Sequence, residues 1–162
     1  NISVALASAD ASRALRAAHA GFWLSAHTIS VGVIGPGNVG RTLLDQLQEA
    51  IPRRRRDANL DLRVRAIASS RKLVLGEGDS LLADWSGQLA ASSLEADFER
   101  FTRHVHAQHL PHAVIIDCSA SNDVAEHYAD WLAAGIHVIT PNKQAGSGPI
   151  ARSRQPSVRA CR

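Results

Sequence analysis

The sequence predicts an α/β fold in which a doubly wound parallel sheet carries helices on both faces. Apolar runs that suit buried strands alternate with amphipathic helical patterns along most of the chain, an order typical of parallel sheets with right-handed crossovers. Residues 113–116 are apolar without a break, as expected for a strand that is covered on both faces. A glycine-rich turn between the first strand and the first helix narrows the prediction further.

The glycine-rich turn follows a predicted strand at residues 29–34. Gly35, Gly37 and Gly40 stand in the order G-x-G-x-x-G, and a helix is predicted at residues 38–50. In such a turn the first glycine permits the sharp bend, the second lets backbone approach a diphosphate, and the third lets the helix pack closely on the strand. Unpaired N–H groups at the start of the helix attract the anion. The turn therefore predicts a Rossmann-type dinucleotide site.

The next elements continue the alternation of strand and helix. A second strand is predicted at residues 62–68, followed by an irregular section with a short helical turn near residues 81–85. Ser92 and Glu95 have the spacing of a capping box. The helix that it would begin has a core-facing apolar stripe, which consists of Leu94, Phe98, Phe101 and Val105.

The last predicted elements complete the sheet. After the strand at residues 113–116, the polar residues 121–123 offer N-caps for a helix that runs to Ala134. Gly135 is placed to end that helix, since glycine readily adopts the left-handed conformation found there. A final strand is predicted at residues 136–140.

The pattern divides the chain into three parts. Residues 1–27 contain an alanine-rich helical stretch at residues 10–24 that is too short to form a domain, and we expect it to be the tail of an upstream region. Residues 28–150 form the predicted nucleotide-binding domain, and residues 151–162 form an irregular tail. The predicted apolar face of the N-terminal helix consists of Leu15, Ala18, Phe22 and Trp23.

Composition indicates an ordinary globular protein. Of the 162 residues, 45% are hydrophobic and 20% are charged, which is close to the average for soluble domains. No long uncharged apolar run is present, and the N-terminus lacks the pattern of a signal peptide. We therefore expect no membrane partner and a cytoplasmic location. Cys118 and Cys161 are too few and too differently placed to indicate a disulfide framework.

A run of four arginines at residues 53–56 and a net charge of +3 raise the question of nucleic-acid binding. The run follows Pro52 and precedes a polar stretch, so we interpret it as a solvated connection between a helix and the next strand. No aromatic residues interleave with it, and a basic cluster alone supplies only non-specific attraction to phosphates. We expect no nucleic-acid partner.

The end of the second strand indicates which dinucleotide would bind. Sites that prefer NAD usually carry an acidic residue there, but Asp61 precedes the strand and the strand ends in Ser69, Ser70, Arg71 and Lys72. Hydroxyl groups followed by cations suit a 2′-phosphate. The sequence therefore favours NADP over NAD, although NAD stays open. The alternative is a surface turn without a ligand.

Two further groups of residues could carry chemistry. Cys118 at a strand end could act as a nucleophile, but no base is linked to it by spacing, and a small buried residue is the simpler interpretation. His104, His106, His109 and His112 cluster around a predicted helix end. Pro111 interrupts that cluster, and zinc requires a full ligand set in tetrahedral geometry, so we expect no metal site.

Three stretches together carry a family resemblance. With the glycine turn, the sequence Asp117-Cys118-Ser119-Ala120-Ser121 and the sequence Thr140-Pro141-Asn142-Lys143 in this order, residues 1–150 resemble homoserine dehydrogenase, in particular that half of the bifunctional aspartokinase/homoserine dehydrogenases. The N-terminal segment is similar to the end of the regulatory, ACT-type region that precedes the dehydrogenase in the fused enzymes.

The resemblance implies a function and a set of site residues. The family interconverts aspartate 4-semialdehyde and homoserine with NAD(P)H, in threonine and methionine biosynthesis. By this resemblance Gly35, Gly37, Asn38, Val39 and Gly40 would hold the pyrophosphate and adjoining ribose. Ala68, Ser69 and Arg71 would lie by the adenosine ribose, and Ser119 and Ala120 would line the nicotinamide side. Lys143 would act as a catalytic residue between nicotinamide and substrate; without the resemblance it could equally be a surface lysine.

The chain departs from the family pattern after about residue 150. The resemblance thus extends to a dehydrogenase without a complete substrate domain, and we expect cofactor binding with little or no turnover by this chain alone. The face on which the missing half would dock should be apolar, so a homo-oligomer is a reasonable expectation. Two alternatives stay open: another NAD(P)-dependent enzyme of amino-acid metabolism, and a non-enzymatic nucleotide-binding module.

Overall fold

The computed structural model describes residues 5, 7–11, 14, 15, 18, 27–77, 79–107 and 109–143. From residue 27 onward, the described part of the chain forms five strands and six helices. In chain order these are β1 (His27–Ile34), α1 (Asn38–Ala58), β2 (Leu60–Ala68), β3 (Leu73–Leu75), α2 (Asp79–Ala83), α3 (Trp85–Ala91), α4 (Phe98–Val105), β4 (His112–Asp117), α5 (Asn122–Glu126), α6 (Tyr128–Ala133) and β5 (His137–Ile139).

All five strands belong to one sheet, in the order β3-β2-β1-β4-β5. Strand β1 pairs in parallel with both β2 and β4, and β5 pairs in parallel with β4. The chain thus leaves the centre of the sheet in both directions, which brings the carboxyl ends of β1 and β4 side by side. In open α/β sheets this switch point is where ligands bind. The predicted Rossmann-type, doubly wound fold is confirmed.

The two faces of the sheet are covered by different helices. Helices α1, α2 and α3 cover one face, where Leu44, Leu81 and Trp85 pack on strand residues that include Val33 and Ile67. Helices α4, α5 and α6 cover the other face. Each fully buried side chain of this size stabilises the fold by about 1.5–3 kcal/mol relative to an exposed one, so the sheet is held in place from both sides.

A glycine in β1 lets α4 approach the sheet closely. A Cβ atom at Gly32 would lie 2.6 Å from Cζ of Phe101 and 2.7 Å from Cγ2 of Val105, both of which are fully buried. The hydroxyl of Ser30 also donates to the Val105 carbonyl at 2.7 Å. Phe101 and Val105 of the predicted apolar stripe therefore face the core, whereas Leu94, which the prediction included, lies before the helix.

The arginine run is not a connection, as the sequence had suggested, but the end of α1. The helix extends through Pro52 to Ala58 and ends at Asn59, which has a left-handed backbone with φ 49°. Cations in the last turn of a helix complement its dipole. In addition, Arg55 donates to Asp61 at 2.9 Å and to both carboxylate oxygens of Asp79 at 3.0 and 3.1 Å. These contacts hold the last turns in place beyond the proline.

The section after β2 was predicted as irregular, and the structure corrects that prediction. Residues 69–72 form a tight turn into β3, a short strand that pairs antiparallel with β2 at the edge of the sheet. Two helices, α2 and α3, follow in place of the single turn expected near residues 81–85. Three apolar residues are too short a pattern to distinguish a strand from a loop. Residues 73–75 form a strand because they pair with β2.

The predicted capping box at Ser92 and Glu95 is also wrong. Ser92 lies at the end of α3, where its hydroxyl donates to the Leu73 carbonyl at 2.5 Å. Helix α4 begins later, at an N-cap formed by Asp97, whose carboxylate accepts from the Arg100 N–H at 2.9 Å. Because the Ser92 hydroxyl is bonded to β3, Ser92 and Glu95 do not form a capping box.

The helix predicted up to Ala134 is divided into α5 and α6 by a turn at His127. Ser121 precedes α5 without a side-chain capping bond. Gly135 does have the left-handed backbone expected of it, with φ +82°.

The described residues before β1 give a partial picture of the N-terminal segment. Residues 8–10 form a 3-10 turn, and Ala11, Ala14, Leu15 and Ala18 are helical. Leu15, which belongs to the predicted apolar face, is 62% exposed. Phe22 and Trp23, the C-terminal tail and Cys161 lie outside the described residues.

Candidate functional site

The first glycine of the turn is enclosed by the ends of two strands. Gly35 has φ +79°, and its N–H donates to the Ala68 carbonyl at the end of β2 at 2.8 Å. A Cβ atom here would lie 2.7 Å from the backbone nitrogen of Ser119, after β4. Only glycine meets both requirements, the left-handed backbone and the close approach. The turn is thus held between β2 and β4.

The other two glycines of the turn have different surroundings. A Cβ atom at Gly40 would lie 2.2 Å from the Gly35 carbonyl oxygen, so this glycine brings α1 against the turn. A Cβ atom at Gly37 would meet nothing within 4 Å. The second glycine therefore leaves open space above the backbone, which is where a diphosphate could approach.

The start of α1 provides the donors for an anion. Gly37 is the N-cap and makes no side-chain capping bond, and the first backbone bond of the helix runs from Arg41 N–H to the Gly37 carbonyl at 2.8 Å. In this geometry the N–H groups of Asn38, Val39 and Gly40 have no partner within the helix. Together with the helix dipole they form an anion-binding site at the carboxyl edge of the sheet.

At the end of β2, Ser69 organises the turn that leads into β3. Its hydroxyl oxygen accepts from the N–H of Arg71 at 3.2 Å and from the N–H of Lys72 at 2.9 Å. Arg71 is exposed, whereas the Lys72 ammonium donates to the Ala90 carbonyl at the end of α3. Two cations were predicted beside a 2′-phosphate. The Lys72 ammonium is bonded to α3 instead, so Arg71 is the one of the two whose side chain is exposed in the turn after β2.

Strands β4 and β5 bring the remaining predicted residues to the same edge. Ser119 is the second residue after β4 and lies beside the glycine turn, and the exposed Ala120 comes next. Lys143 is exposed four residues after the end of β5. The N–H of Asn142 donates to the Thr140 hydroxyl at 2.9 Å, and its side-chain amide donates to the Ser121 carbonyl at 3.2 Å. The loops after β4 and β5 are thus tied to each other.

An apolar cavity of about 550 Å³ opens beside the anion site. It lies between the first turns of α1 and the carboxyl ends of β4 and β5. Its lining residues are Asn38, Val39, Thr42, Leu43, Gln46, Ile116, Cys118, Ile139 and Pro141. Only Asn38 and Val39 of this set were predicted site residues. The other lining residues come from separate elements. The sequence could have indicated them only through their position, which is either at or just after the end of a predicted strand or one to two helical turns beyond the glycines.

Cys118 lines this cavity but is not an activated thiol. Burial raises its pKa above the ordinary value, and the neighbouring Asp117 carboxylate acts in the same direction. A nucleophilic cysteine needs the opposite, a base or a cation that lowers the pKa. The interpretation of Cys118 as a small, partly buried residue is therefore favoured over a role as nucleophile.

Other kinds of site receive no support from the described part of the chain. There, no three His, Cys, Asp or Glu side chains come together in a way that could hold a metal ion. The Nε2–H group of His104 donates to the Gly76 carbonyl at 3.0 Å, and the same nitrogen lies 3.7 Å from the Glu77 carboxylate. Among the described helices, none combines the length and the apolar character needed to cross a membrane.

The fold and the site define a class of protein. A glycine turn at the switch point, an anion site at the start of α1 and an apolar cavity next to it together make a Rossmann-type dinucleotide-binding domain. A family model described as "Homoserine dehydrogenase, NAD binding domain" matches residues 35–155. The chain belongs to this family.

Relatives with curated descriptions agree with the family. The chain is 46% identical over 153 residues to bifunctional aspartokinase/homoserine dehydrogenase 1, chloroplastic, of Zea mays, a match that covers 94% of this chain and 17% of that enzyme. The bifunctional enzyme of Haemophilus influenzae is 30% identical, over 91% of this chain and 18% of its own length. The chain thus spans less than a fifth of these relatives.

A solved structure shows the same fold. The crystal structure of homoserine dehydrogenase from Thermoplasma acidophilum superimposes with a TM-score of 0.59 at 21% identity, over 77% of this chain and 38% of that one. A Candida auris protein of unknown function superimposes with a TM-score of 0.63 at 23% identity. Both likenesses concern the fold alone.

Proposed function

We propose that this chain binds NADP(H) as the nucleotide-binding part of a homoserine dehydrogenase. The observation that carries the proposal is the open backbone at Gly37, above which no atom lies within 4 Å of an added Cβ. Beneath that space the unpaired N–H groups of α1 converge. A diphosphate placed there would replace water with directed donors and the positive end of the helix dipole.

The end of β2 supports NADP over NAD. The carboxylate usual for NAD sites is absent from this end, since Asp61 lies near the start of β2 and pairs with Arg55 and Arg63. Arg71 is exposed in the turn after β2, and a guanidinium there suits the 2′-phosphate of NADP. A carboxylate in the same place would repel that phosphate.

In the complete enzyme the cofactor would supply a hydride to aspartate 4-semialdehyde or accept one from homoserine. The role of this chain is to orient it. Ser119 and Ala120 would lie along the nicotinamide, Pro141 and Cys118 would exclude water from its apolar side, and the Lys143 ammonium would face the substrate oxygen as negative charge develops there. Hydride transfer needs both reactants held at near-contact distance. The described residues form one wall of such a cleft, so we expect little or no turnover by this chain alone.

The first test is a titration of the purified chain with NADPH and separately with NADH, followed by nicotinamide fluorescence. We expect saturable binding, tighter for NADPH. Gly37→Val should abolish it, because the new side chain fits the unliganded fold but occupies the space of the diphosphate. Ala133→Val, on an exposed position of α6, is the matched control and should bind normally.

Absence of binding to either dinucleotide by the folded wild-type chain would contradict the proposal. Equal binding by Gly37→Val would contradict the assigned position of the diphosphate. The cytoplasmic location and a homo-oligomer stay predictions.

A further inference from the structure

The two loops assigned to the nicotinamide side contain no helix or strand of their own. One follows β4 and holds Ser119 and Ala120, and the other follows β5 and holds Pro141 and Asn142. A loop that orients a ligand must itself be held, or the entropy of ordering it opposes binding. In this molecule both loops are connected to one buried residue, Asp117, one through its side chain and the other through its backbone carbonyl.

Asp117 is the last residue of β4 and is fully buried. Its Oδ1 accepts from the backbone N–H of Ser119 at 2.8 Å. Its Oδ2 accepts from the Tyr128 hydroxyl at 2.5 Å, from the start of α6. The carboxylate therefore joins the β4 loop to the helical layer beneath it.

The second loop is attached to the same residue through the backbone. The Thr140 hydroxyl donates to the Asp117 carbonyl at 3.0 Å and accepts from the Asn142 N–H at 2.9 Å. One buried residue thus makes contact with α6, with the loop after β4 and with the loop after β5. A shift of Asp117 that moves both its carboxylate and its backbone carbonyl would therefore displace both loops.

The Tyr128 hydroxyl is the group that holds the carboxylate in place. Tyr128 is 4% exposed, and burial together with the bond to Asp117 raises the pKa of its phenol, so the hydroxyl stays a donor throughout the physiological range. A buried carboxylate oxygen that loses its donor keeps its desolvation cost. It would then turn toward another donor or water, and the Ser119 N–H would move with it.

We propose that Asp117 and Tyr128 act as positioning residues, which hold the loops after β4 and β5 in the arrangement that binds the nicotinamide half of the cofactor. Neither residue touches the cofactor in this proposal. It rests on the proposed function, since it assigns a means of orientation to the same site.

The test compares two ligands. NADPH contains both halves of the cofactor, whereas adenosine 2′,5′-bisphosphate contains the adenosine half and no nicotinamide. We expect Tyr128→Phe to weaken NADPH binding about fivefold, the loss of roughly one hydrogen bond, and to leave the affinity for the bisphosphate unchanged. Asp117→Asn should do the same. Trp131→Phe, a change in the same helix and equally buried, is the control for general loosening and should not separate the two ligands.

Each outcome either supports or overturns the positioning role of Asp117 and Tyr128. Equal weakening of both ligands, or no weakening of either, overturns the proposal. If Asp117→Asn fails to fold, Tyr128→Phe still tests it, and hydrogen exchange adds a second measurement: the Ser119 amide should exchange faster in unliganded Tyr128→Phe but not in Trp131→Phe. Failure of the wild-type chain to bind NADPH would instead refute the proposed function, and the amide exchange would then show whether the network holds the loop at all.

Discussion

Gly40 lies against the carbonyl of Gly35 so closely that an added Cβ atom would be 2.2 Å from that oxygen. The contact joins the first turn of α1 to the bend that leaves β1. We expect Gly40→Ala to destabilise the fold by about 1–3 kcal/mol, because the clash is with backbone and the helix must shift. The free energy of unfolding in urea, measured by circular dichroism, checks this.

Gly37→Ala is the matched control for that change. It introduces the same methyl group at the N-cap of the same helix, into open space and with an ordinary φ of −77°. We expect it to cost less than about 1 kcal/mol, because alanine is a poorer N-cap than glycine but meets no clash here. Equal stability of Gly40→Ala and Gly37→Ala would show that α1 does not depend on this contact.

A second prediction concerns the choice between NADP and NAD. Arg71→Ala should weaken NADPH binding by about tenfold, the loss expected for one charge-assisted hydrogen bond, and leave NADH binding unchanged. Lys72→Ala is the control, because its ammonium donates to the Ala90 carbonyl and should not face the ligand. Paired titrations of both variants with NADPH and NADH measure the selectivity. A loss of selectivity in Lys72→Ala, with Arg71→Ala unaffected, would reverse the assignment.

A third prediction concerns stability in acid. Arg55 holds the pKa of Asp79 below its ordinary value. A carboxyl group whose pKa is lower in the folded state adds stability above its unfolded-state pKa of about 3.9, and this contribution disappears as the pH falls through the folded-state pKa. The pair is largely exposed, so we expect a contribution below about 1 kcal/mol.

The measurement is the urea midpoint of wild type and Asp79→Asn between neutral pH and about pH 2. The two curves should differ at neutral pH and meet at the acid end, since protonated wild type resembles the variant. Two curves that stay parallel down to the lowest pH would mean that the ion pair does not contribute to stability. High salt should reduce the neutral-pH difference, because exposed charges are screened.

A fourth prediction concerns the thiol of Cys118. Since burial and Asp117 raise its pKa, iodoacetamide should label it slowly at neutral pH and faster as the pH rises. Cys161→Ser leaves Cys118 as the single cysteine, so mass spectrometry of this variant reports one site. NADPH should slow the labelling further, because Cys118 lines the cavity beside the anion site. Labelling at neutral pH as fast as that of an activated thiol would restore the hypothesis that Cys118 is a nucleophile.

Much of this architecture could be predicted because short sequence patterns indicate the individual strands, helices and turns. The apolar runs of β1 and β4, the helical stripe around Phe101 and the glycines of the turn each have a physical reason within a few residues of sequence. The glycine spacing even predicted three different roles. The structure gives Gly35 a left-handed backbone, brings Gly40 against the Gly35 carbonyl and leaves open space at Gly37, whereas the approach of a diphosphate at Gly37 stays a prediction. The matching family model agrees with the resemblance that these stretches carried.

The misassigned elements depended on partners far away in sequence. Pro52 and the arginines after it indicated a loop, but Arg55 reaches Asp61 and Asp79, and these contacts outweigh the local preference. Ser92 looked like an N-cap until its hydroxyl was found on the Leu73 carbonyl, in a strand too short to recognise.

The sequence by itself determined the fold class, the glycine turn after β1 and the family, because each depends on residue types at short, regular spacing. Only the tertiary structure decided which groups are available there. In the structure Lys72 is bonded to the end of α3, and Arg71 is exposed. Asp117 is buried and is bonded to Tyr128 and to two loops that follow different strands. Such pairings depend on distances between separate elements, and packing of the whole sheet and its helices sets those distances.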